Sequence, residues 1–97
     1  MKFSVYLNIA YKPGIRDPEG DTIKKELFSR AGLDVDVRAG KCLVLTLEAS
    51  SEDEAREKAV RLAWDLRLGN PNIHVIEVVR VLLWEPDAEL RERGLRG

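Results

Sequence analysis

Only one histidine and one cysteine occur among the 97 residues, so few side chains could serve as a base, nucleophile or metal ligand. His74 lies between Ile73 and Val75, and no HxxxH or CxxC spacing surrounds it. A general base or metal ligand needs partners nearby, and this stretch supplies none. Cys42 follows Lys41 at the start of an apolar run, where a small residue of the core or of a sheet face is the favoured interpretation. The sequence therefore predicts no catalytic residue, no cofactor-binding residue and no metal ligand.

The stretch AYKPGIRDPEG, positions 10–20, has two prolines and two glycines. It lacks the GxxxxGK[ST] and GxGxxG patterns that bind phosphates. Pro13 and Gly14 predict a turn. Asp17 predicts a helix N-cap, with Pro18 in the first helical position. This stretch is interpreted as a firm corner in the chain.

Apolar spacing around this corner predicts the element order β-α-β-β-α-β. Strands are expected at 3–11, 33–38, 42–49 and 73–84, because apolar residues alternate there or form short runs. Apolar residues at helical spacing predict two helices. Gly32 is expected to end the first. The second is expected to begin with a capping box formed by Ser51 and Glu54 and to end at Gly69. The short link at Ala39 and Gly40 predicts an antiparallel hairpin between the second and third strands.

This order predicts an α+β fold, a two-layer sandwich with a four-stranded antiparallel sheet and two helices on one face. A single domain is expected over residues 1–83, followed by a polar C-terminal tail over 84–97.

The last strand is apolar on both faces and is expected at an edge of the sheet. Strict alternation places Ile76, Val78 and Leu82 on one face and Val75, Val79, Val81 and Leu83 on the other. A long apolar edge invites aggregation unless something covers it. We therefore expect an oligomer interface formed by Val75, Val79, Val81, Leu83 and Trp84.

Composition narrows the class of protein further. The formal net charge is −1, from 16 basic and 17 acidic residues, which argues against nucleic-acid binding. No apolar run approaches the ~20 residues that span a bilayer, and no signal peptide is recognised, so a cytoplasmic protein without membrane contact is expected. The absence of glutamine and the abundance of charge are typical of thermophiles.

Three segments together resemble the PurS family, the small subunit of phosphoribosylformylglycinamidine (FGAM) synthase. They are KPGIRDPEG after the first strand, VRAGKCLVLTLEA at the expected hairpin, and NPNIHVIEV after the second helix. Their order and spacing match the family's Lys-Pro-Gly…Asp-Pro-x-Gly, Val-Arg-x-Gly-Lys and Asn-Pro-x-Ile features. The resemblance covers about residues 2–82.

The resemblance implies a noncatalytic bridging subunit of a glutamine-dependent, ATP-dependent amidoligase in de novo purine biosynthesis. A glutaminase subunit (PurQ-type) releases ammonia, and a large synthetase subunit (PurL-type) uses ATP and Mg to activate the substrate amide. A homodimer or homotetramer of the PurS-like chain holds the two together for ammonia transfer. Partner-binding residues on this interpretation are Lys12, Arg16, Arg38 and Lys41.

Three other functions each have requirements with which the sequence can be compared. A dimeric regulatory module that senses a small metabolite would bind an amino acid or nucleotide alone. A small hydrolase would need a phosphate loop and an Arg–Asn pair, and the glycine-rich corner is wrong for that. RNA binding on the open sheet face would need exposed aromatic residues and basic charge, whereas that face offers mainly Tyr6.

Overall fold

The structure, a computed structural model, describes residues 1–84 as one three-stranded antiparallel sheet with helices at two places in the chain. The elements are β1 (Lys2–Tyr11), α1 (Pro18–Ile23) continuing as a π-helix (Lys24–Ser29), β2 (Gly40–Glu48), α2 (Glu52–Asp65) and β3 (His74–Leu83). The strand order is β2-β1-β3. The α+β class and the antiparallel sheet are confirmed, whereas the prediction of four strands is wrong.

The central strand β1 carries the core, and its predicted alternation is confirmed. Phe3, Val5, Leu7 and Ile9 are buried on the side that faces α2. Their partners in α2 are three alanines spaced by four residues, Ala55, Ala59 and Ala63, all fully buried. Small side chains at this spacing form one face of the helix and let it lie close to the sheet.

The predicted second strand, residues 33–38, is not part of the sheet. The hairpin fails because Gly40 already belongs to β2, where it pairs with Ala10 of β1. The Ala39 N–H, which precedes it, is bound by the Asp17 carboxylate. One residue is too few for the tight turn that a hairpin needs.

The first helix also departs from the predicted sandwich. Within residues 1–84, only α2 approaches the strands, since no Cα atom of α1 or its π-helical continuation lies within 8 Å of a strand or of α2. A layer of two helices on one face of the sheet is therefore not what the structure shows.

The helix ends confirm some of the predicted caps and correct others. Asp17 caps α1, Gly32 has the left-handed φ of +78° expected after a helix, and Ser51 caps α2. The Glu54 carboxylate binds the Ser50 hydroxyl, so the reciprocal half of the capping box is absent. After α2 the left-handed residue is Arg67, with φ of 58°, and the prediction that Gly69 ends the helix is wrong.

The last strand is an edge strand, as predicted, but a β-bulge changes which side chains share a face. Val78 pairs with Leu7 and Arg80 pairs with Tyr6, which leaves Val79 as the extra residue. The register therefore places Ile76, Val78, Val81 and Leu83 on the α2 side. The strict alternation predicted from the sequence is therefore wrong beyond the bulge. Val81 and Leu83 share the face of Ile76, and Leu82, which pairs with Ser4, lies on the other face.

Candidate functional site

A corner of the molecule is formed where residues 11–20, 37–40 and 70–74 meet, and Arg38 ties its first two segments together. The Arg38 guanidinium donates hydrogen bonds to the backbone carbonyls of Tyr11, Lys12 and Ile15 at 3.1–3.2 Å. A planar guanidinium has five donors in a fixed arrangement, which suits a cluster of carbonyl oxygens. Arg38 therefore holds the turn after β1 against the chain that enters β2.

Asp17 ties the same two segments through its carboxylate. Its side chain is 1% exposed and accepts hydrogen bonds from the Gly20 N–H at 3.0 Å and the Ala39 N–H at 2.6 Å. These two amides, with a smaller contribution from the positive charge of Arg38, hold the pKa of Asp17 below its ordinary value of 3.8. The carboxylate therefore stays ionised at the corner and caps α1 at the same time.

Gly20 is required because two groups approach it closely. A Cβ atom at this position would lie 2.6 Å from the Asp17 carboxylate oxygen Oδ2 and 2.6 Å from the Val37 carbonyl oxygen. The Asp-Pro-x-Gly pattern therefore has a structural reason. Asp17 caps the helix, and Gly20 leaves room for the returning chain.

The Asn-Pro-Asn-Ile-His segment, residues 70–74, joins the corner from the other side. The Lys12 N–H donates to the Ile73 carbonyl at 2.8 Å. The Asn70 carbonyl accepts from the N–H groups of Ile73 and His74. All three segments that carry the family resemblance thus meet at one place.

His74 is used within this corner. Its Nδ1 atom accepts a hydrogen bond from the Asn70 N–H at 2.8 Å, and its ring centroid lies 5.0 Å from that of Tyr11. No group of histidine, cysteine, aspartate or glutamate side chains within residues 1–84 is placed to hold a metal ion. The arrangement that the structure describes is therefore one of hydrogen bonds between side chains and the backbone rather than a set of reactive groups.

The four predicted partner-binding residues lie at or near the corner but differ in their surroundings. Lys12 is half-buried, whereas Arg16 is exposed and forms an ion pair with Asp21 at 3.1 Å. Arg38 is held by carbonyls, a structural role that the sequence interpretation missed. Lys41 is exposed in β2 and lines a shallow pocket of about 450 Å³ that Glu19 and His74 also line.

The five predicted interface residues lie along the edge strand and just beyond it. Val79 and Leu83 are 64% and 50% exposed, and Val75 and Val81 are half-buried. The half-buried Trp84 continues the pairing with β1, since its N–H donates to the Lys2 carbonyl at 2.9 Å, and the Lys2 ammonium lies 5.0 Å from its ring. The predicted tail beyond Trp84, residues 85–97, lies outside the described residues.

The fold and the corner define the chain as a small α+β protein built on a three-stranded antiparallel sheet. No helix within residues 1–84 is long and apolar enough to cross a membrane. The sequence model of the PurS family, described as phosphoribosylformylglycinamidine (FGAM) synthase, matches residues 4–81.

Individual relatives agree with the family match. The PurS subunit of phosphoribosylformylglycinamidine synthase from Thermotoga maritima is 35% identical over 77 residues, which cover 78% of this chain and 93% of that protein. The structure of Thermus thermophilus PurS superposes with a TM-score of 0.73 at 30% identity, covering 88% of this chain and 100% of that one. Methanocaldococcus jannaschii PurS superposes with a TM-score of 0.71 at 27% identity, covering 86% and 99%.

The chain belongs to the PurS family, and the resemblance found in its sequence is confirmed. It is a subunit of FGAM synthase, an enzyme of purine biosynthesis.

Proposed function

We propose that this chain is the noncatalytic bridge of a glutamine-dependent FGAM synthase, holding a glutaminase (PurQ-type) and a large synthetase (PurL-type) together. The observation that carries the proposal is the corner itself. The three segments that match the family are joined there into one surface feature. The Arg38 and Asp17 side chains bind backbone groups across the first two segments, and the Lys12 N–H donates to the Ile73 carbonyl of the third. A rigid corner at the end of a sheet presents charge at fixed positions, which favours docking.

The chemistry then belongs to the partners. ATP and Mg are bound by the synthetase subunit, and ammonia is released from glutamine by the glutaminase subunit. The bridge keeps the two active sites close enough for ammonia to pass without protonation by bulk water. Cytoplasmic localisation follows from this role in biosynthesis.

The contact residues that we propose are the exposed charges at the corner. Arg16 and Lys41 are exposed, and Lys12 is half-buried. Arg38 acts indirectly, because its guanidinium binds the carbonyls that shape the turn. The edge of β3, with Val79 and Leu83, is proposed as the surface through which copies of the chain form a dimer or tetramer.

Co-assembly of the three purified proteins tests this proposal. Light scattering coupled to gel filtration should show a complex of synthetase and glutaminase only when this chain is present. Lys41→Glu should weaken that complex, whereas Lys25→Glu, an equal change of charge on the exposed side of the first helix, should leave it intact. A complex that forms equally well without this chain would overturn the bridging role. Tight binding of a free amino acid or nucleotide by this chain alone would favour a metabolite sensor instead.

A further inference from the structure

The pocket of about 450 Å³ at the corner, here called the corner pocket, has one lining residue on each outer strand of the sheet. Lys41 of β2 pairs with Ile9 of β1, and His74 of β3 pairs with Tyr11 of β1. Directly paired residues share a face of a sheet, and so do residues two positions apart along one strand, so Lys41 and His74 lie on the same face. Standard strand spacings put their Cα atoms roughly 12 Å apart, across the end of the sheet.

The hydrogen bond from Asn70 leaves one ring nitrogen of His74 available. Nδ1 accepts the Asn70 N–H at 2.8 Å, so this nitrogen carries no proton, and the neutral ring is protonated at Nε2. Within residues 1–84 the Nε2–H group donates to no other residue. No buried side-chain nitrogen or oxygen atom in that part of the chain lacks a partner, so Nε2 must be accessible from outside. His74 therefore offers one hydrogen-bond donor, of fixed tautomer, to a ligand.

Lys41 supplies a second donor to the corner pocket. Its side chain is exposed, and its ammonium forms no ion pair with any other residue that the structure describes. The flexible four-carbon stem of a lysine lets its ammonium move toward a neighbouring group, so Lys41 and His74 can donate to the same acceptor. Two donors, one of them charged, favour an anionic ligand.

The rest of the lining favours an anion with a single charge, carried on a protein. Phosphates are commonly bound by backbone N–H groups, but here Asp17 already accepts those of Gly20 and Ala39. The exposed Glu19 also lines the pocket and forms no ion pair within residues 1–84, so its carboxylate repels a group with two negative charges. Glu19 can instead accept a hydrogen bond from an N–H group, which a peptide presents close to its acidic side chains.

We propose that the corner pocket binds an aspartate or glutamate side chain of a partner subunit, whose carboxylate accepts hydrogen bonds from the Lys41 ammonium and the Nε2–H group of His74. Leu68, which is 40% exposed, lines the same pocket and gives the methylene groups of that side chain an apolar contact. The inference rests on the bridging role proposed above and adds the chemical group that the corner recognises. It assigns His74 to partner recognition.

Asparagine and glutamine at position 74 separate the functions of the two ring nitrogens. An asparagine side chain can place its oxygen near the position of Nδ1, so His74→Asn keeps the acceptor for the Asn70 N–H and loses the Nε2–H donor. A glutamine side chain can place its nitrogen near the position of Nε2, so His74→Gln keeps the donor and loses the acceptor. In thermal unfolding, His74→Gln should therefore melt at a lower temperature than His74→Asn.

Isothermal titration calorimetry with the synthetase and the glutaminase, each added separately, measures recognition. For the partner that carries the acidic side chain, Kd should rise about tenfold in His74→Asn and in Lys41→Met, and much less in His74→Gln. The double variant of His74→Asn and Lys41→Met should lose less affinity than the two separate losses predict, because both donors bind one carboxylate. Lys25→Met removes the same charge from an exposed position outside the pocket, and its Kd should equal that of the wild type.

The outcomes distinguish failure of this inference from failure of the bridging role. If the wild type binds a partner and His74→Asn and Lys41→Met bind it equally well, the inference is overturned and the bridge stands. If His74→Gln loses as much affinity as His74→Asn, the Nε2–H donor is not what the partner recognises, and the inference is again overturned. A wild-type chain that binds neither subunit would overturn the bridging role and the inference together. Displacement of the partner by an equimolar amount of inorganic phosphate or free glutamate would show that the pocket takes a small anion instead of a protein carboxylate.

Discussion

The Asp17 carboxylate accepts the Ala39 N–H at 2.6 Å, a hydrogen bond between residues 22 positions apart. This hydrogen bond places Ala39, the residue before β2, against the N-terminus of α1. Together with the hydrogen bonds that Arg38 donates to three backbone carbonyls, it accounts for the shape of the corner. The corner in turn sets the direction in which residues 18–37 leave the sheet.

Asp17→Asn should destabilise the protein at neutral pH, because an amide nitrogen cannot accept the hydrogen bond that the second carboxylate oxygen receives from Ala39. The pKa of Asp17 is lowered in the folded protein, so its contribution is fully present above the unfolded value of 3.8 and is lost as the pH falls through the folded pKa. Thermal unfolding of both proteins across this range should show their melting temperatures converging on acidification. A gap that is constant with pH would contradict the role of the charge.

Gly20→Ala should cost about 1–3 kcal/mol, since the added methyl group meets two oxygen atoms in a confined space. Glu19→Ala, one residue earlier and exposed, is the matched control and should stay within about 0.5 kcal/mol. Chemical denaturation measures both. Equal stability of the two variants would mean that Val37 does not pack against α1 as described.

Arg38→Lys should lower the free energy of unfolding by about 1–2 kcal/mol, because a single ammonium cannot bind the carbonyls of Tyr11, Lys12 and Ile15 together. Lys41→Ala should leave stability unchanged, since the Lys41 side chain is exposed. Denaturation of the isolated chain separates these effects from any effect on partner binding. If Arg38→Lys is as stable as the wild type, the guanidinium acts only in docking.

The β-bulge predicts opposite outcomes for two neighbouring valines. Val79→Lys adds a charge at a position that is 64% exposed, and stability should change by less than about 0.5 kcal/mol. Val81→Lys places the charge on the α2 side, against the core, and should cost about 1–3 kcal/mol. Circular dichroism melts distinguish the two. If Val79→Lys also breaks the oligomer while its monomer stays folded, the β3 edge is an interface between copies.

Local sequence patterns predicted correctly those features that depend only on residues close together in the sequence. The alternation of β1 and the Asp17 and Ser51 caps are confirmed. The edge position of β3, which was predicted from the order of the elements, is confirmed as well. The segment Leu33–Val37 alternates equally well, but strand formation also requires a partner, and pairing depends on residues far away in the chain. The same limit explains the Val79 bulge, which is visible only in the register with β1.

The corner was predicted as a turn, and its long-range hydrogen bonds were not. Nothing in the local sequence indicates that the Arg38 guanidinium reaches back 23–27 residues to carbonyl groups or that Asp17 binds Ala39. The three segments that resemble the family all lie at this corner, but they did not indicate the hydrogen bonds of Arg38 and Asp17. Their convergence on one corner explains why they occur together.

The rate of FGAM synthesis from glutamine, compared with the rate from ammonium salt, tests the central proposal most directly. Synthetase and glutaminase are assayed with and without this chain, in the presence of ATP and Mg, at a fixed low protein concentration. A bridge should be required for the glutamine-dependent rate and should matter little with excess ammonium salt, because free ammonia reaches the synthetase by diffusion. Equal glutamine-dependent rates with and without this chain would contradict the bridging role.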